Sequence, residues 1–205
     1  MTDITLVLGT KNTSSWSLRP WLLARHLGVA FREELIALDQ PDTRARLAAA
    51  SPTARVPVLR HGTLVVWESI AICQYLCELA GAGYPEARAA RAVARAVSAE
   101  MHAGFSALRS QWPLNACAVG VRTPMTTELA ANIARVQALW SRCRGEFGES
   151  GPWLFGTYCI ADAMFAPVVL RFRTYGAALE SGAQQYQQTA LADPYLQEWL
   201  LAAAR

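Results

Sequence analysis

Several features that would assign a function class at once are missing from this sequence. No apolar run is long enough to span a membrane: Arg, Gly or Pro interrupts each one well before the roughly 18 residues that mark a crossing helix. There is no CxxC pair. The five cysteines, Cys73, Cys77, Cys117, Cys143 and Cys159, are an odd count that describes neither a secreted disulfide framework nor a zinc site. Cys73 and Cys77 share one face of an expected helix, but nothing completes a site around them. No metal is therefore expected, and both read as small core residues. Free thiols fit a reducing compartment. Histidine is scarce, and His26, His61 and His102 are too dispersed to form a readable cluster. One-sided charge is missing as well. Lys and Arg number 19 against 16 Asp and Glu, a formal charge of +3. The arginines are scattered, which argues against a polyanionic partner such as nucleic acid. Met1-Thr2-Asp3 leads straight into ITLVL without the parts of a secretory leader, so a cytoplasmic setting is expected.

What is present is a chain of 205 residues, 53% hydrophobic, long enough for one large domain or two small ones. Its most informative stretch runs from Ser51 to Ile72, SPTARVPVLRHGTLVVWESIAI. It reads as a loop, a strand opening at Val56-Pro57-Val58-Leu59, a turn at His61-Gly62, a second strand over Leu64 to Trp67, and a helix starting at Glu68-Ser69. Pro57 cannot donate to a ladder, so it belongs at an edge or turn, where cis bonds are found. Val56 is pushed toward extended geometry, leaving its backbone polar groups free to pair elsewhere. A nearby helix start offers unpaired N–H groups and a serine hydroxyl to an anion. An extended edge beside such a helix start is a site for a small peptide.

The rest of the chain divides into two textures. ITLVL (4–8) reads as a buried strand. Ser17 is placed to cap a helix over Leu18 to Leu27, with Pro20 in its first turn and Gly28 ending it. Phe31 to Leu38 reads as a strand, Gln40-Pro41-Asp42 as a turn, and an alanine-rich helix ends near Ala50. The helix from Ser69 to Ala80 is expected to bury Ile70, Cys73, Tyr75, Leu76 and Leu79. The order βαβ, α, ββα is that of a thioredoxin-like domain, with a parallel pair across the crossover. Residues 81–87 read as a linker, and 88–205 as all-helical. Val93, Val97, Met101, Phe105, Leu108 and Trp112 mark one buried stripe from Ala87 to Trp112. Leu129, Ile133, Val136, Trp140 and Cys143 mark another, capped by Thr126 or Thr127. A third helix begins near Cys159, and a last one covers Pro194 to Ala204.

Between the first strand and first helix lies Gly9-Thr10-Lys11-Asn12-Thr13-Ser14-Ser15-Trp16-Ser17-Leu18-Arg19-Pro20. With no cysteine here, dithiol exchange through this loop is excluded. Val56-Pro57 and Glu68-Ser69 resemble the glutathione-binding segment of the glutathione transferases. The α/β-then-helical order is similar to theirs over the full length. The Ser-Ser-x-Ser-x-Arg spacing resembles the serine-type members, particularly the zeta-like (maleylacetoacetate isomerase-like) group. It departs from that group at Trp16, where the motif has cysteine, and at Pro20-Trp21.

The resemblance implies a thioredoxin-like domain over 1–80 that binds glutathione as co-substrate, and a helical domain lining an electrophile site. It implies that Ser14, or Ser15 as in other serine classes, hydrogen-bonds the glutathione sulfur; Ser17 is read as a cap. Arg55, Val56, Pro57, Glu68 and Ser69 would hold the tripeptide, with Gln40 a further candidate. Trp16, His102 and Trp112, with Met101, would shape the electrophile pocket, and Ser98, His102 and Arg109 lie near the face opposite the apolar stripe. Asp162, in a Ser/Thr-x-x-Asp-like box with Cys159 in place of the hydroxyl, is read as structural, with half of the reciprocal box surviving. Pairing as a homodimer and a detoxifying role are further expectations.

The expected activity is attack of an activated glutathione thiol on a small electrophile, with cis–trans isomerisation as a specific form of it. The rival is a non-catalytic glutathione- or ligand-binding module of the same fold. A glutathione-dependent reductase ranks last for want of a cysteine at the first helix.

Overall fold

In a computed structural model, described over residues 3–205, the chain opens with β1 (Ile4–Gly9), α1 (Ser15–His26), β2 (Arg32–Ile36), α2 (Thr43–Ala50), β3 (Val58–His61), β4 (Leu64–Trp67) and α3 (Ser69–Ala80). Met1 and Thr2, the expected start of the first domain, lie outside the described residues. The strands form one sheet in the order β2-β1-β3-β4. β1 and β2 pair in parallel, as the crossover requires, and β1–β3 and β3–β4 are antiparallel. The chain continues through α4 (Arg88–Ala103), α5 (Ser106–Gln111), α6 (Thr127–Phe147), α7 (Ile160–Tyr175), α8 (Ser181–Leu191) and α9 (Pro194–Ala203). This is a thioredoxin-like domain followed by a helical one.

The two parts are joined by α7, which is buried on nearly every side from Ile160 to Thr174. It packs against α1 of the sheet domain and α4 of the helical one. Leu6, Leu8, Leu18 and Trp21 meet Ala166, Leu170, Leu196 and Trp199 in a single core. Burial of this kind contributes about 25 cal/mol per Å² of apolar surface, so the seam is held by packing as well as by chain connectivity.

Local differences from the expected elements have local causes. α1 starts at Ser15, not Leu18, because Ser14 rather than Ser17 is the N-cap and its Oγ accepts the Ser17 N–H. β3 starts at Val58, leaving Val56 and the cis-linked Pro57 ahead of the ladder. The expected helix over 87–112 breaks in two. At the break Phe105 takes φ +60, and a Cβ at Gly104 would meet the Glu100 carbonyl oxygen at 2.8 Å, so glycine is required there. α3 buries Ile72, Cys73, Leu76 and Cys77 while Leu79 is exposed, a stripe rotated by part of a turn. α8 escaped the sequence reading because only Ala183, Tyr186 and Ala190 of its residues are buried, too weak a hydrophobic period.

Candidate active site

The site forms where the first turns of α1 and α3 lie beside the cis Val56–Pro57 bond. Trp16, Thr53, Arg55, Val56, Pro57, Glu68, Ser69 and His102 line a cavity of about 260 Å³. Ligand pockets typically span about 300–1,000 Å³, so this one suits a ligand that lies partly outside it. Larger crevices of about 500 and 820 Å³ open around Tyr84 and Glu86, away from the α1 and α3 N-termini. Of the residues picked from sequence, Arg55, Val56, Pro57, Glu68, Ser69, Trp16 and His102 therefore meet in one place. Thr53 joins them; nothing in its sequence context marked it.

The α3 side of the cavity carries the polar chemistry. Ser69 is buried, and its Oγ has no hydrogen-bond partner among the described residues. An unmatched buried hydroxyl forfeits about 1–3 kcal/mol, which a ligand could return. Glu68 precedes it with φ +66 and ψ 123, a conformation that costs a non-glycine residue on the order of 1–3 kcal/mol and concentrates at ligand sites. The Glu68 carboxylate lies 3.5 Å from His102 Nε2. The His102 ring meets Trp16 edge-on, 5.4 Å between centroids. Burial holds His102 below its ordinary pKa, helped by Arg19 and Arg109 and opposed by Glu68.

The loop before α1 is fixed from the helical half. Asn12 accepts the Cys117 N–H on Oδ1 at 3.0 Å and the Ala116 N–H on its carbonyl at 2.9 Å. The Lys11 carbonyl accepts from Trp199 Nε1 at 3.0 Å, and Lys11 Nζ pairs with Glu33 at 2.7 Å. Ser14 and Ser15 are nearly buried, and neither is among the residues lining the cavity. The Ser14 hydroxyl donates to Ser17 Oγ at 2.8 Å, which also accepts the Gly9 N–H at 3.0 Å. Ser17 thus ties the loop to β1 instead of capping the helix. Ser15, at the first position of α1, takes no part in this network.

Other expected residues sit elsewhere. Trp112 does not line the cavity: it is buried in the helical core, stacked on Tyr175 with centroids 5.0 Å apart, its Nε1 donating to Thr123 at 2.6 Å. Placing it in the pocket is corrected on that ground. Met101 is likewise core, and Gln40 is exposed in the α2 turn, its side chain donating to Asp39. Ser98, expected opposite the apolar stripe, is buried. Asp162 Oδ2 accepts the Cys159 N–H at 2.9 Å, and Oδ1 accepts the Leu154 N–H at 3.1 Å and the Tyr186 hydroxyl at 3.0 Å. The Cys159 thiol takes the hydroxyl's place in the capping box, so the reciprocal arrangement is complete where half was expected, though sulfur is a weak acceptor. Among the described residues, no group of three or more His, Cys, Asp or Glu is placed to hold a metal ion.

Comparison with known proteins adds to this geometry. Residues 13–79 match the family described as glutathione S-transferase, N-terminal domain. No curated protein sequence matches the chain. Among solved structures, a glutathione transferase homolog from Burkholderia BGR1 with bound glutathione is 24% identical, with 98% of each chain covered and a TM-score of 0.75. A theta class glutathione S-transferase from Xanthomonas axonopodis pv. citri, with glutathione bound, is 25% identical over 98% of each chain, with a TM-score of 0.69. Ure2p in complex with glutathione is 18% identical over 97% of this chain and 98% of its own, at 0.72. The fold is that of the glutathione transferases, and residues 13–79 carry the match to their N-terminal domain.

Proposed function

We propose that the chain binds glutathione in this cavity and activates its thiol for attack on a small electrophile. The observation that carries the reading is the buried, unpartnered Ser69 hydroxyl at the start of α3, in the cavity that Glu68 and the Val56–Pro57 edge also line. A γ-glutamyl group presents a carboxylate and an ammonium side by side. Ser69 and the first N–H groups of α3 match the carboxylate, and Glu68 matches the ammonium. The backbone of Val56 lies outside the sheet and would pair with the extended peptide, with Arg55 and Thr53 of the same cavity toward its glycine end. The bound glutathione in the Burkholderia and Xanthomonas structures supports this assignment.

Activation falls to the α1 N-terminus. A free thiol ionises near pH 8.5, and each unit of depression requires about 1.4 kcal/mol. A hydrogen bond to a charged acceptor supplies roughly 1.5–3 kcal/mol, and the positive end of a helix about 0.3–1 more. Together they would lower the bound thiol by about one to three units. Ser15 is the better donor, since Ser14 must first give up its bond to Ser17. The serine-type assignment rests on this step. The thiolate would then attack an electrophile held on the Trp16 and His102 side; addition to a double bond followed by expulsion of the thiol would give the isomerase form.

One observation favours the binding-only rival: the Ser14 proton is turned inward and neither serine lines the cavity. Thiolate absorbance of protein-bound glutathione, titrated against pH for the native chain, Ser15→Ala and Ser14→Ala, separates the two. A bound thiol ionising about one to three units below free glutathione, and losing most of that shift in Ser15→Ala, is the expected result. Loss confined to Ser14→Ala moves the role to Ser14. Binding without any shift makes this a binding module, and no binding refutes both readings.

A further inference from the structure

Arg19 has no part in the chemistry proposed above, yet it is the most anomalous side chain in the molecule. It is fully buried, and its Nε, Nη1 and Nη2 find no hydrogen-bond partner among the described residues. Its Cζ lies 4.3 Å from the centre of the Trp16 ring. That contact covers a face of the guanidinium and leaves its in-plane N–H donors unmatched. Burial, followed by Arg171 and Arg109, pushes its pKa down to about 9, so it stays charged at neutral pH.

The surroundings add positive charge and no counter-charge. Arg171 is buried, donating to the Trp112 carbonyl at 2.7 Å and the Pro167 carbonyl at 3.5 Å. Arg109 lies 5.3 Å from the same Trp16 ring and donates to the His102 carbonyl at 3.2 Å. Cys73, which acts on Arg19 only as a potential anion, is held protonated by burial. Ser98 Oγ and His102 Nδ1, one turn apart on α4, are also buried without partners. Glu68 is half exposed on the cavity side and faces His102. Arg19, Arg109 and Arg171 thus bring three cations of α1, α5 and α7 close together, and among the described residues no carboxylate pairs with them.

We infer that this cationic cluster binds a small monovalent anion, of carboxylate or halide size, held by the in-plane donors of Arg19 with Arg109 beside it. A guanidinium accepts a carboxylate through two parallel hydrogen bonds. An isolated buried charge is otherwise a liability that an apolar residue of similar volume would remove. Trp16 lines the glutathione cavity and covers Arg19, so the anion site adjoins the proposed site without depending on it. A free ion and the anionic end of a larger ligand offer the same chemistry to Arg19.

The test is thermal unfolding of the full chain without glutathione, titrated with sodium chloride, acetate or benzoate at ionic strength held constant with sodium sulfate. The native protein should show a saturable rise in Tm of about 2–4 °C, absent in Arg19→Met. Without monoanion, Arg19→Met should melt at or above the native temperature, whereas a purely structural arginine would lower it. Arg109→Gln should shift the midpoint to several-fold higher anion. Chloride and acetate acting at the same concentration as benzoate mark a free-ion site; benzoate acting at tenfold lower concentration marks the anionic end of a larger ligand. No saturable rise, or an equal rise in Arg19→Met, overturns the inference. Should Arg19→Met fail to fold, an unchanged midpoint in Arg109→Gln overturns it as well.

Discussion

Asp162 and Arg19 are both buried charges near the start of helices that pack against each other, α7 and α1, and they are treated in opposite ways. Asp162 receives N–H groups from Leu154 and Cys159 and the Tyr186 hydroxyl. Arg19 receives the face of one indole and nothing else among the described residues. A buried charge enclosed by matched donors organises the fold around itself. One enclosed without partners lowers stability, which points to a task outside folding. The same degree of burial thus goes with a fully partnered charge in one helix and a stranded one in the other.

The sharpest way to break this contrast is Asp162→Ala, which strands three buried donors. At roughly 1–3 kcal/mol for each unsatisfied group, urea unfolding should show a loss of about 3–9 kcal/mol. That exceeds what a lost helix cap costs, about 1–2 kcal/mol. A loss below that range would mean the donors find other acceptors.

Next in size is a pH effect. Burial raises Asp162 from its ordinary 3.8 to about 6, against the hydrogen bonds that lower it. Because the folded pKa lies above the unfolded one, this group's stabilising contribution is full below about pH 4 and is lost as pH rises through 6. The span amounts to roughly 3 kcal/mol at about 1.4 kcal/mol per pH unit. Native stability relative to Asp162→Asn should therefore fall between pH 4 and 7; a parallel profile for the two proteins would deny that the carboxyl titrates in this window.

Arg19→Met sharpens the other half of the contrast. Replacing an unpaired buried charge by an apolar residue is neutral or stabilising, by up to about 1–4 kcal/mol, in denaturant unfolding at low anion concentration. The smallest effect concerns the indole. A desolvated cation–π contact is worth up to about 2 kcal/mol, so Trp16→Leu and Arg19→Met combined in a double-mutant cycle should show a coupling of about 1 kcal/mol. Zero coupling would leave Arg19 without even that partner.

Legibility followed the range of the forces involved. The helix from Ser69 to Ala80 was read with its observed ends, because a proline, a tight turn and a helix start act within a few residues. The β4 strand was equally plain, and the cap of α6 was narrowed to Thr126 or Thr127, of which Thr126 serves. The break at Gly104-Phe105 was not, since the apolar period runs through it unchanged. Trp112 was misplaced for a related reason: an aromatic on a buried stripe looks the same from sequence whether it faces a core or a cavity.

By itself the sequence determined the order of elements through α3, the two textures of the chain, and the Val-Pro and Glu-Ser pair that shapes one wall of the site. Those follow from sterics, capping and side-chain periodicity, which operate within a turn or a hairpin. Only the tertiary structure decided the opposite wall. Asn12 and Lys11 hold the α1 loop through partners 105 and 188 residues away, and the burial of Arg19 requires α1 to lie against α7. Whether a charge is paired or stranded depends on which distant groups packing brings to it, and no local rule of the chain carries that information.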